Sequence, residues 1–262
     1  MIFSSIVHPV SRRIGIFCSA ALVACTASIT TADEGPLPVS LDPQPRLLTH
    51  DWMSLAEWYR MHADDVELAE EGASKLLFVG DSITQGWGGP GLEVWETHFE
   101  PRGAVNFGIG GDMTQNVLWR LDHGAQGTLD PAAIVLLIGV NNVGNIEDVA
   151  PSEVAAGVLA TIDSLLTRFP NADLMWMEIF PMGEFPDNPN RGKILAINQL
   201  VRLQIEGMER VSSVDLTEDF LNDDGTLPAD LTPDFLHPQK PGYEIWADAI
   251  LPWVDERVPL QK

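Results

Sequence analysis

Five short apolar runs, at residues 76–79, 104–107, 134–138, 174–180 and 211–216, punctuate the chain, with helix-patterned stretches between them. Runs without polar alternation belong to strands covered on both faces, and parallel neighbours need a crossover helix to bring the chain back. The spacing supplies those helices. Val154, Val158, Ile162, Leu165 and Phe169 form one apolar stripe closed by Pro170; Ile194, Ile197, Val201 and Ile205 form another, with Gly207 placed to end it. Tyr243, Trp246, Ala247, Ile250 and Leu251 mark a last helix. The pattern predicts an α/β domain of three layers, α/β/α, around a five-stranded parallel sheet. A further helix is expected over residues 51–71, outside the sheet, with Trp52, Leu55, Trp58 and Tyr59 on its buried side.

Ligands of such sheets bind beyond the carboxyl ends of the strands, so the residues that follow each run matter most for function. The first run leads into Gly80-Asp81-Ser82. A serine at that sharp turn can expose its hydroxyl at the start of a helix whose free amides favour a developing oxyanion; taken alone, Ser82 reads more readily as a helix cap. The second run ends in Asn106-Phe107-Gly108-Ile109-Gly110-Gly111-Asp112. This fails as a dinucleotide fingerprint because Met113 stands where the last glycine belongs, but a glycine turn can bring a backbone N–H close to a reacting carbonyl. Gly139-Val140-Asn141-Asn142 closes the third run, and an amide side chain there can donate to an oxyanion without changing charge. After the fifth run comes Asp234-Phe235-Leu236-His237-Pro238. The spacing of three lets a carboxylate hold the imidazole from one side while its other nitrogen faces elsewhere, which makes His237 the natural base. Of the other histidines, His8 lies in the leader, His50 and His62 in the N-terminal extension, and His98 and His123 in helical or turn segments without such a nearby acid.

Taken together and in this order, the four strand-end motifs resemble those of the SGNH (GDSL-like) hydrolases, over about residues 74–254. Within that family the likeness is to the catalytic subunits of platelet-activating-factor acetylhydrolase, through residues 106–112 and the following Val117-Leu118-Trp119-Arg120-Leu121. The resemblance implies a flavodoxin-like arrangement of the sheet, with Ser82 as nucleophile, His237 as general base and Asp234 as the acid that orients it. It also implies an oxyanion hole made of the Ser82 and Gly111 amides and the Asn141 side chain. Asn142 stands where many family members have Asp, as it does in the acetylhydrolase-like branch. The implied reaction is two-step acyl transfer, with no metal or organic cofactor. Ile83, Val140 and Leu236, beside the catalytic positions, are bulky enough to form a shallow acyl pocket and point to short acyl groups, acetyl first. Trp87 reads as core or, less readily, as a sugar-stacking ring, and the loop at 183–192 as a border of the cleft or a plain connection.

Residues 1–32 hold no Asp or Glu, carry Arg12 and Arg13, and then run apolar, which is the layout of a secretory signal. Two cleavage readings stand: after Thr30-Thr31-Ala32, or at a lipobox ending at Ala24, which would make Cys25 a lipidated membrane attachment. A Pro-containing linker is expected at 33–50 and the hydrolase domain at 51–262. Cys18 and Cys25 are the chain's two cysteines, so the domain beyond the leader holds no disulfide and no thiolate metal site. With 15 Lys and Arg against 38 Asp and Glu, the net charge of −23 excludes a nucleic-acid partner and disfavours anionic membrane surfaces. The expected substrate is a small-molecule or glycan ester, with O-acetylated glycans favoured by export and acetylated phospholipids as the alternative. A non-catalytic glycan-binding module on the same scaffold is the contrasting reading.

Overall fold

The interior strand β1 (Leu76–Gly80), buried at every residue, lies between two parallel neighbours, β2 (Ala104–Gly108) and β3 (Ala133–Leu137). Strands β4 (Asp173–Met177) and β5 (Val211–Val214) extend the sheet on the β3 side, giving the all-parallel order β2-β1-β3-β4-β5. This is a computed structural model, and it describes residues 37–260. The leader, with Cys18, Cys25 and both cleavage readings, lies outside the described residues.

The helices follow in chain order: α1 (Leu55–Glu71), α2 (Ser82–Gln85), α3 (Leu92–His98), α4 (Thr114–Asp122), α5 (Val140–Asn145), α6 (Pro151–Arg168), α7 (Pro189–Ile205), α8 (Thr217–Phe220) and α9 (Lys240–Arg257). Helices α4, α6 and α7 pack side by side as one layer, and α3 pairs with α9 in the other. The apolar stripes read from the sequence are the buried ones: Val154, Val158, Ile162 and Leu165 on α6, Ile194, Ile197, Val201 and Ile205 on α7, and Tyr243, Trp246, Ala247 and Ile250 on α9. The three-layer α/β/α fold expected from the sequence is the fold observed. Trp87 is fully buried among Phe78, Phe99, Tyr243 and Trp246, so its role is core packing.

Three expectations change. Strand β4 stops at Met177 rather than running to residue 180, because Asn198 on α7 takes both the N–H and the C=O of Ile179 (3.0 Å each), the groups a longer strand would pair. The buried side of α1 is Trp58, His62, Asp65 and Ala69, while Trp52 and Tyr59 are exposed. The spacing of four, three and four is one helical face, and polar residues occupy it because they find buried partners. Finally, residues 37–50 are not a free linker. They belong to the same compact unit as the sheet, with Ser40 and Arg46 buried. Asn142 is the anchor: its Oδ1 accepts the Thr114 N–H (3.0 Å), and its Nδ2 lies 3.1 Å from Ser40 Oγ and 3.0 Å from Thr114 Oγ1. Asn116 adds a bond to the Gln44 carbonyl (2.9 Å).

Candidate active site

The strand order sets where a cleft can open. Connections from β1 and β3 leave in opposite directions, and the crevice falls beyond their carboxyl ends. Ser82 follows β1 as the first residue of α2, and the cap of that helix is Asp81, whose Oδ1 accepts the Ile83 N–H (3.0 Å). The Ser82 hydroxyl is therefore free of the capping role. Its Oγ lies 2.8 Å from His237 Nε2, and His237 Nδ1 lies 2.6 Å from Asp234 Oδ2. The other oxygen of Asp234 accepts the backbone N–H groups of His237 (2.7 Å) and Leu236 (3.1 Å), so one carboxylate fixes both the ring and the chain that carries it. Burial raises the Asp234 pKa, but the His237 ring and these N–H groups outweigh it and leave the carboxyl below its usual range. Phe235, inside this turn, has a left-handed backbone (φ 57), a strained state for a non-glycine residue. The Gly183 N–H holds the Phe235 carbonyl at 2.8 Å, so the 183–192 loop braces the turn that carries Asp234 and His237 from outside the cleft lining.

Gly108 lets β2 approach α2: a Cβ there would sit 2.2 Å from Gln85 N. That approach allows Gln85 Oε1 to accept the Gly110 N–H (2.8 Å), tying the glycine turn to the serine helix. Gly111 then adopts φ +75, a conformation that favours glycine. Asn141, on α5, donates one Nδ2 hydrogen to the Asp112 carbonyl (3.0 Å), which fixes the amide and leaves its second N–H to the cleft. Neither the Ser82 nor the Gly111 N–H donates to a protein acceptor among the described residues.

Ser82, Gly111, Asn141 and His237 line one cleft of about 460 Å³ together with Trp52, Met53, Glu57, Gln85, Gly110, Asn145 and Leu236. Of the three residues expected to form the acyl pocket, Leu236 lines it. Ile83 and Val140 do not, because both are buried in the main hydrophobic core. Gln85 and Asn145 were legible in principle, since they lie three and four residues beyond Ser82 and Asn141 on the same helical faces. Trp52, Met53 and Glu57 carry no such local signal, because long-range docking of the N-terminal segment brings them in.

Behind the glycine turn lies a buried ionic cluster. Asp112, wholly buried, accepts from Arg120 Nε (2.8 Å) and Trp58 Nε1 (2.7 Å). Arg120 also donates to Asp65 (2.8 Å) and to the Phe107 carbonyl at the end of β2 (2.9 Å), and Arg46 lies 3.8 Å from Asp112. Two guanidinium groups meet two carboxylates, so the charges balance. Burial raises the Asp112 pKa, opposed by Arg120, Trp58 and Arg46. No group of three or more His, Cys, Asp or Glu side chains suited to a metal ion occurs among the described residues.

This geometry, a serine, imidazole and carboxylate in hydrogen-bonded sequence beside candidate oxyanion donors at the switch point of a 2-1-3-4-5 sheet, is suited to acyl transfer. Residues 78–245 match the GDSL-like lipase/acylhydrolase family, and the chain belongs to that family. It is a carboxylic ester hydrolase, and the non-catalytic reading is set aside. The platelet-activating factor acetylhydrolase IB subunit alpha2 of Rattus norvegicus is 35% identical over 205 residues, covering 77% of this chain and 86% of the relative. Two solved structures show the same fold. A GDSL-like lipase from Bacteroides thetaiotaomicron superposes with a TM-score of 0.63 at 20% identity, covering 77% of this chain and 98% of that one. An acetylxylan esterase from Geobacillus stearothermophilus gives 0.54 at 22% identity, covering 69% and 94%.

Proposed function

We propose that the protein is a serine esterase that removes short acyl groups, chiefly acetyl, from O-acetylated glycans. The observation that carries this reading is the Ser82–His237–Asp234 relay, with contacts of 2.8 and 2.6 Å. His237 Nε2 takes the Ser82 Oγ proton as Oγ attacks the ester carbonyl, and Asp234 holds the imidazolium that forms. The Ser82 and Gly111 amides and the Asn141 side chain receive the tetrahedral oxyanion. Its collapse expels the alcohol, which takes the proton back from His237. Water, deprotonated by the same imidazole, then releases the acyl group from Ser82. No step calls for a metal or organic cofactor.

The cleft supports short acyl groups because Glu57, Gln85, Asn141 and Asn145 interrupt its apolar residues. A long acyl chain finds little continuous apolar surface there. Export, proposed on the layout of residues 1–32, brings the enzyme to extracellular or periplasmic glycans. No helix among the described residues is long and apolar enough to cross a membrane, and attachment through a lipidated Cys25 remains part of this proposal. The acetylhydrolase relative favours acetylated phospholipid as the second reading. An acetate-release assay on acetylated xylan, pectin, sialosides and acetyl-phospholipids separates the two. The expected result is release from glycans by the wild type, a preference for 4-nitrophenyl acetate over the octanoate, and loss of turnover in Ser82→Ala with its thermal unfolding unchanged. Release from phospholipid alone selects the second reading, and an active Ser82→Ala variant removes the relay.

A further inference from the structure

We propose that Arg46 is a positioning residue for the oxyanion hole: by holding the Gly110 carbonyl it turns the N–H of Gly111, in the same peptide group, into the cleft. The inference rests on the esterase reading above. In a trans peptide the C=O of one residue and the N–H of the next point to opposite sides, so a donor that captures one aims the other. Arg46 Nη2 donates to the Gly110 carbonyl, and the Gly111 N–H has no protein acceptor among the described residues. The other peptides of the turn are held as well. Gln85 Oε1 takes the Gly110 N–H at 2.8 Å, and the Ile109 carbonyl takes the Asp112 N–H at 3.1 Å. Arg46 therefore completes a set that leaves one donor of the turn uncommitted.

The guanidinium is itself held in place. Arg46 is 6% exposed, lies 3.8 Å from Asp112 and packs 5.3 Å from the centre of the Trp52 ring. A Cβ placed on Gly111 would fall 2.6 Å from Arg46 Nη2 and 2.5 Å from Trp52 Cη2, so the two side chains close on the turn where a flipped peptide would need room. Residues 37–50 deliver Arg46 to this position through the Ser40, Asn142 and Gln44 contacts. The segment expected to be a linker thus braces the glycine turn from behind the cleft. A charged donor on the carbonyl also polarises the peptide and strengthens its N–H as a donor.

Arg46→Met and Arg46→Lys, assayed on 4-nitrophenyl acetate and titrated with a trifluoromethyl ketone that adds to the serine, test this. The expected result for Arg46→Met is a fall in kcat of about 10- to 100-fold with KM held within about threefold, and ketone affinity falling in step with kcat/KM. Arg46→Lys, which keeps charge and a donor without the planar fork, should recover part of the loss. Wild-type kcat in Arg46→Met, or a KM increase without a kcat decrease, overturns the inference. If Arg46→Met does not fold, Arg46→Lys decides: lowered kcat at constant KM supports it and unchanged kcat overturns it. An active Ser82→Ala would instead remove the esterase reading itself, so the two failures are distinguishable.

Discussion

Asp234 and Asp112 serve one cleft from opposite physical settings. The Asp234 side chain is 55% exposed on an open turn, and its pKa lies low because His237 and two backbone N–H groups prefer it ionised. Asp112 is wholly buried, and desolvation drives its pKa up against Arg120, Trp58 and Arg46. In the proposed mechanism the first carboxylate answers a charge that comes and goes on His237 with each turnover, at a place water reaches. The second belongs to a buried cluster that pairs two carboxyl groups with two guanidinium groups, so that the glycine turn beside it keeps its shape. Exposure suits the part that exchanges protons, and burial suits the part that must not move.

The difference predicts that the two regions fail differently. Arg120→Met strips the main partner from both Asp112 and Asp65, so stability should fall by about 3–5 kcal/mol, read from urea unfolding midpoints. A loss below about 1 kcal/mol would mean that those carboxyls become neutral at little cost and that the cluster is not held by charge. Asp234→Asn should leave unfolding within about 0.5 kcal/mol of the wild type, because the site is exposed. Its kcat on 4-nitrophenyl acetate should drop about 100-fold, near 2.7 kcal/mol in the barrier, since an amide can neither fix the right tautomer nor stabilise the imidazolium. A large stability change there would erase the contrast.

The same contrast explains what was legible in the sequence. The strands and the α6, α7 and α9 faces are local apolar patterns, and the serine, histidine and acid sit in short motifs at strand ends, so both were readable from spacing. Ile83 and Val140 were misplaced because each directly follows or precedes a cleft residue on a helix, where neighbours point about 100° apart. Ser82 faces the cleft and Ile83 the core; Asn141 faces the cleft and Val140 the core. The buried face of α1 was hidden by its polarity. His62 and Asp65 look solvent-facing until Arg120 and the His123 carbonyl, distant in the chain, are brought to them. Arg46 and Trp52 depend on the docking of residues 37–50, for which no local pattern exists.

Asp81 sharpens the comparison because it is buried like Asp112 yet lacks a cationic partner. Its Oδ1 caps α2 through the Ile83 N–H, and its Oδ2 has no hydrogen-bond partner. Burial pushes the carboxyl up to about 7; the Ile83 N–H opposes this, and the charge of Asp112 reinforces it. An unfolded-chain Asp ionises near pH ~4. Between about pH 4 and pH 7 the folded protein therefore keeps a proton that the unfolded chain has released, and stability falls as pH rises through that window. Asp81→Asn keeps the capping oxygen and has no proton to lose. Relative to the wild type, it should gain about 4 kcal/mol in stability between pH 4 and pH 8, read as the difference between two urea-unfolding profiles so that the titration of Asp65 largely cancels. Parallel profiles would mean that Asp81 stays ionised throughout. Backbone N–H groups alone would then suffice to hold a buried charge beside Ser82, and the cationic cluster around Asp112 would have to be explained by geometry alone.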